Sequence, residues 1–128
     1  MSNQTILIVD DNANNLKLLQ FFLSKRGFPI ETAVDGYEAR DKVRSLRPLL
    51  VLLDVQLPKL SGLDQVREIK ADPELKQTIV IAVTSYAMNG DRERMLAAGF
   101  DGYISKPLQL QALEREINER LRAHRAAV

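Results

Sequence analysis

Residues Ile6–Asn15 read ILIVDDNANN. Four aliphatic side chains lead straight into two neighbouring carboxylates, Asp10 and Asp11. A short, nearly continuous aliphatic run is the pattern of a strand buried on both faces, as in a parallel sheet. One acid at the end of such a strand would cap the next helix. Two together repel, and their pairing points to a positive group that sits between them.

The alternation continues outward from this stretch. TILIVD (Thr5–Asp10) is followed by NLKLLQFFLSKRG, where Leu16, Leu19 and Leu23 share one helical face and Gly27 suits a C-terminal cap. PIETAV reads as a weaker, more polar strand with the character of an edge. GYEARDKVRSLRP aligns Ala39, Val43 and Leu46 and stops at Pro48. LLVLLD (Leu49–Asp54) is the most apolar run and is assigned to the centre of the sheet. SGLDQVREIKA reads as a short helix with Leu63, Val66 and Ile69 inward, and TIVIAVTS (Thr78–Ser85) as a fourth strand. MNGDRERMLAAG is a helix with a poor stripe: Met88, Met95, Leu96 and Ala98. GYISK is a short fifth strand. LQLQALEREINERLR is the clearest amphipathic helix, with Leu110, Leu113, Ile117 and Leu121 in line. Five strands alternating with five helices imply an α/β fold, a doubly wound parallel sheet with right-handed crossovers and helices on both faces. Nothing divides the chain, so one domain is expected over residues 1–122 with a short frayed tail at 123–128.

Composition narrows the chemistry. A chain of 128 residues buries enough surface to fold without staples. It has no cysteine, which excludes disulfides, thiolate zinc sites and a cysteine nucleophile. The single histidine, His124, lies between Arg122 and Arg125 and reads as a solvated tail residue rather than a ligand or base. Metal chemistry must therefore use oxygen ligands, which suit Mg²⁺, Mn²⁺ or Ca²⁺ better than zinc. Net charge is +1 with both signs interspersed, and no basic block marks a nucleic-acid footprint. The apolar runs are too short to span a bilayer, and polar Ser2–Thr5 lead directly into a strand rather than a signal peptide. The expected location is the cytoplasm.

A parallel sheet of this kind binds ligands beyond the carboxyl ends of its strands, near the switch point in strand order. Those ends are Asp10-Asp11, Asp54, Thr84-Ser85 and Ser105-Lys106-Pro107. Three carboxylates, a hydroxyl and an ammonium group should converge on one edge. Carboxylates so close repel unless a cation offsets them, and Mg²⁺ characteristically takes a few carboxylates while keeping waters and phosphate oxygens. Asp54, carried from the core to the rim by five aliphatic residues, is placed to accept a phosphoryl group as a nucleophile. Lys106 would contact that group and Thr84 would donate a hydroxyl to it. A cis Lys106–Pro107 bond would aim the lysine. Each residue has a bland reading: Asp11 as a helix cap, Lys106 as a surface charge, Thr84 as a strand residue, Pro107 as a helix starter. Their joint placement at four strand ends favours the site.

ILIVDDN, LLDVQLPKLSGLD, AVTSYAM and GYISKPL stand in the order and spacing of response-regulator receiver domains of two-component signalling. The chain resembles that CheY-like superfamily over about residues 4–122. The resemblance implies the flavodoxin-like strand order 2-1-3-4-5. It implies Asp54 as phosphoacceptor, Asp10 and Asp11 as the acidic pair with Asp11 a direct Mg²⁺ ligand, and the Gln56 carbonyl as a further ligand. It also implies Thr84 as the switch hydroxyl, Lys106 as the phosphate-contacting lysine and Tyr103 as the aromatic switch residue. Gln56 and Tyr86 occupy positions that in the family tune the lifetime of the phosphorylated state. The implied donor is a phosphohistidine on a sensor histidine kinase or phosphotransfer protein. The implied output is docking of a downstream protein on the fourth helix, fifth strand and fifth helix. Taken as a full protein, the chain looks like the stand-alone receivers of the DivK type, either monomeric or dimerising on phosphorylation.

Rival readings each require features of their own. An aspartate-nucleophile phosphatase needs a second acid two residues after the nucleophile, where this chain has Gln56. A flavodoxin-like or nucleotide-binding module lacks its motifs: there is no GxxxxGK[ST] loop, no GxGxxG, and the first turn, DDNANN, is acidic. The receiver of a longer regulator or hybrid kinase stays open, as does a module that binds without phosphorylation.

Overall fold

The computed structural model describes residues 4–56, 60–85 and 90–127, and within these the side chains of Asp91 and residues 125–127 are left aside. Ten elements alternate along the chain: β1 (Ile6–Val9), α1 (Ala13–Ser24), β2 (Ile30–Ala33), α2 (Gly36–Leu46), β3 (Leu50–Asp54), α3 (Gly62–Ala71), β4 (Ile79–Thr84), α4 (Asp91–Ala98), β5 (Gly102–Ser105) and α5 (Leu110–Ala127). All strand pairs are parallel, in the order β2-β1-β3-β4-β5.

The aliphatic runs explain the layering. Every residue of β1, β3 and β4 is buried, as strands covered on both faces require. Alternation then sends one set of side chains to each face. Leu7, Val9, Val51, Leu53, Val80 and Ala82 pack with Ala39 and Val43 of α2, Val66 and Ile69 of α3 and Met95 of α4. Ile6, Ile8, Leu50, Leu52, Ile79 and Ile81 pack with Leu16, Leu19 and Leu23 of α1 and Leu113, Ile117 and Leu121 of α5. Each fully buried aliphatic side chain contributes roughly 1.5–3 kcal/mol. β2 is the half-exposed edge and β3 the centre, as their polarity indicated.

Local signals set the helix starts. Asp35 caps α2 by accepting a hydrogen bond from the Glu38 N–H at 2.9 Å, and Glu38 Oε1 reaches back to accept from the Val34 N–H, just before the cap, at 2.9 Å. Ser61 caps α3 by accepting from the Asp64 N–H at 3.2 Å. Gly62, the first residue of α3, lies so close to β3 that a Cβ there would meet the Val55 Cα at 2.8 Å. Only glycine lets α3 start this near the end of β3.

Two expectations are corrected. The backbone of α5 is helical to Ala127, so residues 123–127 continue the helix where a frayed tail was expected. His124 accordingly stands half-buried on α5, in a groove lined by Lys70, Asp101 and Arg120 and by Ile79 at the start of β4. It lies at the end of the sheet opposite the carboxylates.

Candidate functional site

The strand order reverses between β1 and β3, since β2 lies to one side of β1 and β3 to the other. The carboxyl ends of these two strands therefore open onto a crevice that no crossover helix fills. Parallel register places Val9 beside Leu53, so Asp10 and Asp11 emerge next to Asp54. Carboxylate oxygens of Asp10, Asp11 and Asp54 lie within 4.8 Å of one another. Asp10 and Asp54 are buried and Asp11 is exposed, which leaves one side of the cluster open to water.

The capping reading of the acids does not hold. Asn12 is the N-cap of α1, and its Oδ1 accepts from the N–H groups of Asn14 at 2.9 Å and Asn15 at 3.1 Å. Asp10 is instead held by its own set of donors: the Asn12 N–H on Oδ1 at 2.9 Å, and Asn15 Nδ2 on Oδ2 at 3.3 Å. Sequence reasoning missed both asparagines as site residues. The available signal was Asn15 standing in the first turn of α1, five residues after Asp10.

Lys106 closes the cluster. Its backbone N–H donates to the Thr84 carbonyl at 2.8 Å, which extends the β4–β5 ladder by one residue. Its ammonium lies 3.1 Å from Asp54 Oδ2 and 3.3 Å from Asp10 Oδ2. Burial alone would lower its pKa. The hydrogen bond to Asp54, with the charges of Asp10 and Asp54, outweighs burial and holds it above the ordinary lysine value of 10.5. The Lys106–Pro107 peptide is cis. Pro107 does not start a helix, because α5 begins at Leu110.

The remaining residues line the rim. The Gln56 N–H donates to Asp54 Oδ1 at 2.9 Å, so both oxygens of Asp54 are engaged. The Gln56 side chain reaches across to β4, where its Oε1 accepts from Ser85 Oγ at 2.8 Å. Thr84 is buried at the end of β4, opposite Ser105 of β5. Tyr103 lies half-buried on β5, packed against the apolar layer of α2, α3 and α4. Asp10, Asp11, Asp54, Gln56, Thr84 and Lys106 thus share one edge, with Tyr103 on β5 three residues before Lys106. Tyr86 and Met88 lie outside the described residues.

The donor set tests a metal. Three carboxylates supply only oxygen, their oxygens lie within 4.8 Å of one another, and Asp11 leaves the cluster exposed on one side. This cluster could hold a hard divalent cation and offers nothing to a thiophilic one.

The family model for the response regulator receiver domain matches residues 6–118. The chain belongs to the response-regulator receiver family. It is therefore a receiver domain of two-component systems, a signalling module. It is 42% identical over 107 residues to the polar-differentiation response regulator DivK of Brucella anthropi, covering 84% of this chain and 87% of that relative. The DivK of Brucella ovis is 41% identical over the same length. In structure the receiver is similar to a CheY-like receiver domain protein of Methanospirillum hungatei, with a TM-score of 0.89 and 29% identity, covering 99% of this chain and 100% of that one. It is also similar to the receiver domain of a Pseudomonas aeruginosa sensor histidine kinase, with a TM-score of 0.78 and 34% identity, covering 89% and 93% of the two chains. That protein holds a magnesium ion in its active-site cleft. Among the described residues of the present receiver, no helix is long and apolar enough to cross a membrane.

Proposed function

We propose that the receiver takes a phosphoryl group onto Asp54 from a phosphohistidine donor, in a Mg²⁺-dependent reaction. The observation that carries this reading is the environment of Asp54: a buried carboxylate with an ammonium at 3.1 Å and two further carboxylates within 4.8 Å. Asp10, Asp11, Asp54 and the Gln56 carbonyl would hold the Mg²⁺, with Mn²⁺ as a substitute. When bound, the ion supplies the positive charge that offsets the acids and the incoming phosphoryl oxygens.

The chain's own residues do the rest. An Asp54 oxygen bonds to phosphorus as the phosphorus–nitrogen bond of the donor breaks and the electron pair returns to the imidazole. Lys106, positioned by Asp54 and Asp10, turns its ammonium to a phosphoryl oxygen. Thr84, one register position beyond the Asp54–Val83 pair, donates its hydroxyl to another. Movement of Thr84 opens space for Tyr103 to turn inward, and the α4-β5-α5 surface changes with it. A sensor histidine kinase or histidine phosphotransfer protein is the donor partner, and a downstream protein docks on that surface. The work is done in the cytoplasm, as a monomer or a phosphorylation-linked dimer, without direct nucleic-acid contact. The likeness to a receiver domain of a sensor kinase supports a second setting, in which the same chemistry serves a longer regulator or hybrid kinase.

Beryllofluoride, which stands in for the phosphoryl group on a carboxylate, tests the site directly. Fluorine NMR should show a bound resonance that requires Mg²⁺ and disappears in Asp54→Asn. A bound resonance retained in Asp54→Asn would place the acceptor elsewhere. No binding to folded wild type would leave a module that works without phosphorylation.

A further inference from the structure

The hydrogen bond from Ser85 Oγ to Gln56 Oε1, 2.8 Å long, crosses between the two loops that flank Asp54. Ser85 follows the last residue of β4, and Gln56 stands two residues beyond the last residue of β3. Both side chains are exposed, so burial does not force the pairing; water could satisfy either one. The Gln56 backbone is fixed separately, through its N–H to Asp54. The Ser85 contact therefore sets the direction of the carboxamide alone. It engages Oε1, which is the only acceptor atom the carboxamide has.

That atom matters for loss of the phosphoryl group, a step that rests on Asp54 being the phosphoacceptor as proposed above. In hydrolysis the oxygen of water bonds to phosphorus, and the bond from phosphorus to the Asp54 oxygen breaks. The electron pair returns to the carboxylate. One proton of the water stays on the new P–OH group and the other passes to a phosphate oxygen or to bulk water. A glutamine carboxamide oxygen that accepts a hydrogen bond from the attacking water orients it for in-line displacement. We propose that Ser85 is a positioning residue that slows this step. By holding Gln56 Oε1 towards β4, it keeps the carboxamide acceptor away from the water and lengthens the life of phosphorylated Asp54.

The test is the decay of the phosphorylated protein after loading with a small acyl phosphate and Mg²⁺ and removal of the donor, followed by intact mass. Ser85→Ala should decay faster, by roughly fivefold if one neutral hydrogen bond restrains the carboxamide. Ser85→Thr, which keeps the hydroxyl, should decay like wild type. On a Gln56→Ala background, which retains the backbone carbonyl, Ser85→Ala should change nothing further. A general disturbance of the loop would not show this coupling or be rescued by threonine. Unchanged or slower decay in Ser85→Ala, a threonine variant that behaves like alanine, or an undiminished effect on the Gln56→Ala background would each overturn the proposal and leave the phosphoacceptor in place. Absence of any adduct on wild type would overturn the reading of Asp54 itself.

Discussion

Lys106 shows how one side chain ties the site together. Its ammonium bridges two buried carboxylates on different strands, and it is itself only one-fifth exposed. With its pKa raised, it stays protonated at any ordinary assay pH. Its stabilising contribution is complete below the ordinary lysine value of 10.5 and is lost only as pH rises through the higher folded value. Lys106→Ala should leave Mg²⁺ affinity largely intact while abolishing the surface change on phosphorylation, and an unaltered change in amide chemical shifts over β5 and α5 would contradict its role. Asp11, the exposed acid of the cluster, is the proposed direct Mg²⁺ ligand. Asp11→Ala should weaken Mg²⁺ binding by about tenfold or more in a calorimetric titration, and full affinity would move the ligand role to Asp10. The meeting of Asp10, Asp11, Asp54, Thr84 and Lys106 at one edge was legible in sequence because strand ends in a parallel sheet converge whatever the helices do. The parts played by Asn12, Asn15 and Ser85 were not. Short amides and hydroxyls choose partners by rotamer and by sub-ångström register, and ILIVDDNANN reads the same with Asp11 or Asn12 as the cap.

Among the elements, α4 is the least anchored of the helices. It has eight residues, glycines with positive φ at both caps and no side-chain hydrogen bond at its start. Met95 is its one buried side chain among the described residues, and Leu96, expected on the inner stripe, is 41% exposed. A helix this short has little stability of its own and depends on packing. The amides of residues 94–98 should exchange with deuterium faster than those of 113–121 in α5, and loading Asp54 should change their rates. Exchange over 94–98 that ignores phosphorylation would remove α4 from the switch. The weak stripe was visible in MNGDRERMLAAG, but the start of the helix was not: Gly90 in the left-handed region sets it, without a capping side chain to mark it. In α5 the pattern ends before the helix does. Its apolar stripe ends at Leu121, and past that point nothing in the pattern separates helix from tail, although the backbone runs on to Ala127.

The whole molecule is a sheet whose three inner strands are covered on both faces and whose carboxyl-end edge carries the candidate site. Fully buried β1, β3 and β4 hold three of the four strand ends within fixed register, so the acids cannot relax apart by moving the strands. On the proposed reading, this rigidity would let an added charge at Asp54 act on Thr84 and Lys106 instead of dissipating in the backbone. Strand order was not readable from periodicity, since five alternating units are compatible with several windings; it followed from the family motifs and agrees with the sheet observed. The central claim concerns Asp54, and intact mass after incubation with a small acyl phosphate tests it most directly. One added phosphoryl group is expected, present with Mg²⁺, absent without it, and absent from Asp54→Asn. A phosphoryl adduct of equal yield on Asp54→Asn, or one indifferent to Mg²⁺, would contradict the account.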